Sequence, residues 1–147
     1  MEREIKEENL KQIAKEIIDE VSLIKKDEAS LVILSGELGA GKTALSKEIA
    51  KYLGVKEKII SPTFVIMKIY KTKDKNFKKL IHIDSYRLNK SSELLILGWE
   101  EIMKDKNNLI LVEWPENVPE CTASPLCSIE IIHINEDTRN LKIKFCP

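Results

Sequence analysis

Gly36-Glu37-Leu38-Gly39-Ala40-Gly41-Lys42-Thr43 satisfies every fixed position of the phosphate-binding pattern G-x-x-x-x-G-K-[ST]. The apolar run Leu31-Val32-Ile33-Leu34 precedes it and reads as a buried strand. A helical pattern opening at Ala44 follows, with Leu45, Ile49, Ala50 and Leu53 on one face and Gly54 as its stop. Strand, loop and helix in that order are the context in which the pattern carries chemistry; the competing reading is a bland glycine-rich turn. The glycines let the backbone turn without Cβ obstruction, so several N–H groups can face one phosphate chain at the positive end of a helix. Lys42 adds a point charge for the β and γ phosphates, and Thr43 a hydroxyl that suits Mg²⁺, a cation of oxygen ligands.

Outward from the loop, Leu10, Ile13, Ala14, Ile17, Ile18 and Val21 recur at helical spacing and give an amphipathic helix ending near Lys25 to Glu28. The charged N-terminus, Met1-Glu2-Arg3-Glu4, is read as leading into that helix. Phe64, Ile66 and Ile69-Tyr70 begin a second strand and Leu80-Ile81-His82-Ile83 a third, with the lysine-rich Lys71 to Lys79 as an exposed turn between them. Short helices are expected from Ser91 and from Trp99, broken at Gly98. Leu109-Ile110-Leu111-Val112 is apolar throughout, as a central parallel strand buried on both faces should be. Ile129 to His133 and Leu141 to Phe145 form a closing hairpin around Asn135-Glu136-Asp137. The fold class is α/β: one three-layer P-loop NTPase domain over residues 1–147, its mixed sheet parallel at the centre with antiparallel hairpin additions.

Lys plus Arg and Asp plus Glu both number 24, so net charge gives no reason to expect a free-standing nucleic-acid binder. Arg3, Arg87 and Arg139 are the only arginines, few for bidentate phosphate clamping. Cys121, Cys127 and Cys146 form no C-x-x-C pair and read as reduced, packing thiols. No apolar stretch reaches membrane-spanning length and no signal region is seen, so a cytoplasmic protein without a membrane association is expected.

A phosphate loop needs carboxylate partners, and apolar-to-acid transitions at strand ends place them at the carboxyl edge of the sheet. Ile83-Asp84 and Val112-Glu113 are the two candidates; one acid would serve Mg²⁺ and the other group the attacking water. The sequence leaves open which does which. His82 and His133 read as structural strand residues, Arg87 as a partner latch or the mate of a nearby acid, and Trp114 as core in preference to site.

Together, Gly36 to Thr43, Ser61-Pro62-Thr63-Phe64, His82-Ile83-Asp84-Ser85-Tyr86-Arg87-Leu88, Gly98 and Leu111-Val112-Glu113-Trp114-Pro115 resemble the bacterial TsaE (YjeE) family, small ATPases of tRNA threonylcarbamoyladenosine modification. The segments occur in the family's order across nearly the whole chain. Glu37, Ser85, Ala44 and Asn9 depart from its usual residues. The resemblance implies ATP and Mg²⁺ as ligands, with Gly36, Glu37, Leu38, Gly39, Ala40, Gly41, Lys42, Thr43 and Ala44 around the nucleotide and Arg139 as a further contact. It implies Lys42, Asp84 and Glu113 as catalytic residues and Thr43, Asp84 and Glu113 as metal-side groups. Ser61 and Thr63 occupy the place of a switch segment, although a Ser-Pro-Thr turn accounts for Pro62 equally well. The implied partners are the TsaB–TsaD pair, and tRNA indirectly through it.

A regulatory GTPase would need Asn-Lys-x-Asp, and Asn89-Lys90-Ser91-Ser92 lacks the aspartate. A small-molecule kinase of the same loop class should carry lid arginines and is the runner-up. A nucleotide-gated adaptor that needs no turnover is the third class. Arginine scarcity also predicts slow hydrolysis by the isolated chain.

Overall fold

Period-two burial separates two cores. In the strand Asn108–Glu113, Leu109 and Leu111 enter one cluster and Ile110 and Val112 the other, and all six residues are buried. The protein is described by a computed structural model covering residues 1–24, 26–37, 39–60, 62 and 65–146. The expectations for Leu38, for Ser61 and Thr63, and for a strand start at Phe64 lie outside the described residues.

In chain order the elements are β1 (Glu2–Lys6), α1 (Leu10–Leu23), β2 (Ser30–Ser35), α2 (Lys42–Tyr52), β3 (Met67–Lys71), β4 (Lys79–Asp84), α3 (Ser91–Ile96), α4 (Trp99–Met103), β5 (Asn108–Glu113), β6 (Cys127–His133) and β7 (Thr138–Phe145). They build one seven-stranded sheet in the order β1-β7-β6-β2-β5-β4-β3. β6, β2, β5 and β4 are parallel; β7 and β1 extend one edge antiparallel, and β3 the other. Helices α1 and α2 bury Ile13, Ile17, Leu45 and Ile49 against one face. Leu94 of α3, Trp99 of α4 and Val118 cover the other with Leu31, Ile81 and Ile83, which completes the three layers.

Three local differences from the sequence reading have physical causes. The N-terminus is strand β1, not the approach to a helix: Glu2 to Lys6 pair with Lys142 to Thr138, and only Ile5 among them is buried. The strand after α2 starts at Met67, because Ile66 takes a left-handed φ of 68° as its N–H reaches Pro62 O. α2 includes Lys42 and Thr43, so the loop's last side chains leave from the helix's first turn. The Lys71–Lys79 turn is largely exposed as expected, with the Asp74 carboxylate accepting from the N–H groups of Asn76 and Phe77.

Candidate active site

β2 pairs with β5 on one side and β6 on the other, so the loop leaving β2 emerges where the crossovers diverge, the crevice in which open α/β sheets bind ligands. Gly36 sits close enough to β6 that a Cβ there would lie 2.6 Å from Ile131 O, at a φ of 150°. Gly41 caps α2 at φ 111°. Both positions exclude side chains for reasons of backbone, and they set the loop against the sheet. Ala40 N–H bonds Glu37 O at 3.1 Å and closes a turn within the loop.

Lys42 leaves the first turn of α2 and folds back over the loop, donating to Gly36 O and, at 2.9 Å, to Glu37 O. Its ammonium lies 4.2 Å from the centroid of the Trp114 ring. Only 6% of Lys42 is exposed, so it is more buried than a loop side chain in solvent would be. Burial holds its pKa below the ordinary lysine value, while the Glu113, Glu116 and Asp84 carboxylates pull it upward.

Asp84 and Glu113 end adjacent parallel strands as register partners and are 4% and 2% exposed. They therefore stand side by side on one face of the sheet. Oδ1 of Asp84 accepts from Tyr86 N–H at 3.0 Å. Oε2 of Glu113 lies 2.5 Å from Nε2 of His82. His82 is thus the mate of a site carboxylate, a role that strand alternation alone did not reveal.

Trp114 belongs to the site and not to the core. It is half-buried, and its ring lies 5.0 Å from that of Tyr86 at an interplanar angle of 51°. Its backbone is left-handed at φ 57°, uncommon for a bulky residue. The 3-10 turn Pro115–Asn117 holds it there, with Asn117 Nδ2 bonded to Ser85 O at 3.0 Å and Thr122 Oγ1 to Pro115 O at 2.9 Å.

The Arg139 side chain reaches the backbone of the loop, where Nε donates to Ala40 O at 2.9 Å, while Nη1 donates to Asn135 O in the turn before β7 at 2.7 Å. Beside it opens a cleft of about 630 Å³ bounded by Ile5, Leu10, Ala40, Gly41, Ala44 and Arg139. Its rim carries Glu7, Glu8, Glu136 and Asp137. Ser85 is fully buried behind Asp84, Arg87 is exposed on the turn that follows β4, and His133 is exposed at the end of β6, opposite Arg139 in register. The thiols of Cys121, Cys127 and Cys146 are free. Among the described residues no helix is long and apolar enough to cross a membrane.

Comparison with known proteins places the chain in a family. The family model for the threonylcarbamoyl adenosine biosynthesis protein TsaE matches residues 5–141. The tRNA threonylcarbamoyladenosine biosynthesis protein TsaE of Rickettsia typhi is 39% identical over 115 residues, 78% of this chain and 76% of that protein. The protein of the same name in Mycobacterium bovis is 34% identical over 116 residues, 74% of this chain and 68% of its own length. The crystal structure of Bacillus subtilis YdiB superposes with a TM-score of 0.73 at 26% identity, covering 100% of this chain and 86% of that one. A family match that spans residues 5–141, the loop and both acids included, leaves one conclusion: the chain belongs to the TsaE family.

Proposed function

We propose that this protein is an ATP hydrolase of tRNA threonylcarbamoyladenosine biosynthesis, slow by itself, whose turnover drives the cycle of a TsaB–TsaD threonylcarbamoyl-transfer complex. The observation that carries the reading is the convergence of Lys42, Asp84 and Glu113 at the carboxyl ends of β2, β4 and β5, one cation facing two buried carboxylates beside a glycine loop. Family membership supports the pathway.

The loop amides and Lys42 would receive the triphosphate, Lys42 exchanging its contacts to Gly36 O and Glu37 O for phosphate oxygens. Cation–π contact with Trp114 keeps the ammonium pointed into the site as those contacts break. The donor set fits Mg²⁺: Thr43 offers a hydroxyl and Asp84 and Glu113 offer carboxylates, all hard oxygens of the kind that hold this ion together with phosphates and water. When bound, Mg²⁺ neutralises charge building on the phosphate oxygens. Asp84 is assigned to the metal side. Glu113 is assigned to the attacking water, whose proton its carboxylate accepts as the Pγ–O bond to the leaving ADP breaks. The base and ribose would lie in the cleft beside Arg139, with Ile5, Leu10 and Ala44 as its apolar lining. Arg139 is engaged by backbone carbonyls and Arg3 by Glu16, engagements consistent with a weak basal rate and partner stimulation.

Single-turnover ATP hydrolysis, with and without a TsaB–TsaD pair and tRNA, tests the proposal. Slow hydrolysis alone, stimulation by the partners and preference for ATP over GTP in competition are the expected results. Phosphate appearing on a small-molecule acceptor in place of water would favour the kinase reading.

A further inference from the structure

His82 lies two residue pairs deeper in the sheet than the two acids. In the β4–β5 register Asp84 pairs with Glu113 and His82 with Leu111, so His82 and Asp84 share the face that Glu113 occupies. His82 is a diagonal cross-strand neighbour of Glu113, within reach of a long side chain. It is 1% exposed, Glu113 is 2% exposed, and Nε2 lies 2.5 Å from Oε2. A carboxylate buried to this degree needs hydrogen-bond partners, and the side-chain group that reaches it among the described residues is this imidazole nitrogen. The ammonium of Lys42 acts on Glu113 through space but is bonded to Gly36 O and Glu37 O.

We infer that His82 is a positioning residue for Glu113, an assignment that rests on the ATP hydrolysis proposed above. With Nε2 as the donor of this contact, Oε2 is committed to the protein. Oε1 then remains as the oxygen that takes the water's proton. A glutamate has three side-chain torsions, and an unanchored carboxylate would sample several positions at the strand end. Displacement of a catalytic group by about 1 Å is enough to slow a reaction a hundredfold. The buried ring fixes that position from below, without touching the substrate.

The test compares His82→Leu, His82→Gln and His82→Asn. Glutamine can place an amide donor near the position of Nε2, whereas asparagine is too short and leucine has no donor. His82→Leu and His82→Asn are expected to slow single-turnover hydrolysis roughly ten- to a hundredfold, the usual loss for an orienting partner, with ATP affinity retained. His82→Gln should recover most of the rate. If the leucine variant does not fold, the glutamine and asparagine pair reads the same contrast. Wild-type rates in His82→Leu or His82→Asn, or equal losses of rate and affinity in all three, would overturn the positioning role. ¹⁵N and ¹H spectra of the His82 ring provide a readout independent of hydrolysis: a protonated Nε2 is expected, with a downfield proton that moves in Glu113→Gln. A ring protonated on Nδ1 and insensitive to Glu113 would overturn the inference even if ATP is hydrolysed normally. A wild-type chain that hydrolyses no ATP with its partners, yet shows the Nε2 signature, would overturn the functional reading and not the pairing.

Discussion

Strands β2, β5 and β4 run parallel and end together at Ser35, Glu113 and Asp84, whereas β7 and β1 run antiparallel at the sheet's edge and send Arg139 and Ile5 toward the same loop. Parallel pairing brings carboxyl ends to one edge, so charges close on one another there: two buried acids and a buried lysine. The antiparallel flank meets the loop at a backbone carbonyl, Arg139 Nε donating to Ala40 O while Nη1 donates to Asn135 O within the flank, and it supplies one wall of a cleft. Centre and flank should therefore fail differently. Substitutions in the parallel centre should strike the chemistry, and those in the flank should strike the loop's placement.

The largest effect expected is that of Glu113→Gln. It keeps size and hydrogen bonding but removes the proton acceptor, and single-turnover hydrolysis should fall by roughly 10² to 10⁴, the usual share of general-base catalysis. Next, Lys42→Ala should weaken ATP binding by about 1.5–3 kcal/mol, the worth of a charge-assisted hydrogen bond, as titration with labelled ATP would read. Unchanged affinity in the folded variant would break the assignment of the loop. Arg139→Ala should cost less in nucleotide binding, with only a modest loss of ATP affinity, and each hydrogen bond lost should remove about 0.5–1.5 kcal/mol of stability, seen as a lowered melting temperature. The smallest effect is chemical. Burial pushes the Cys127 thiol up to about 12, and thiolate is the reactive form, so near neutral pH a thiol reagent should label the half-buried Cys121 and Cys146 first. Rapid labelling of Cys127 in the folded protein would show that the β6 core opens easily.

What was legible in the sequence is local. The Leu31–Leu34 and Leu109–Val112 runs declared buried strands, the glycine loop declared its turn, and the acids after Ile83 and Val112 declared the carboxyl edge, because each signal sits within a few residues of what it specifies. β1 was hidden because Glu2 to Lys6 offer a single buried side chain and are held as a strand by β7, more than 130 residues away. The pairing of His82 with Glu113 was hidden for the same reason: it depends on the β4–β5 register, which no local pattern states. Trp114 looked like a core aromatic because its left-handed backbone, set by the turn that follows, turns the ring toward Lys42.

The division between centre and flank is tested by single-turnover hydrolysis at saturating ATP and Mg²⁺, with the TsaB–TsaD pair present, for Glu113→Gln and Arg139→Ala side by side with wild type. Glu113→Gln should hold nucleotide and fail to hydrolyse it, while Arg139→Ala, once saturated, should turn over near the wild-type rate. Hydrolysis by Glu113→Gln at the wild-type rate would remove the chemistry from the parallel centre and refute that division.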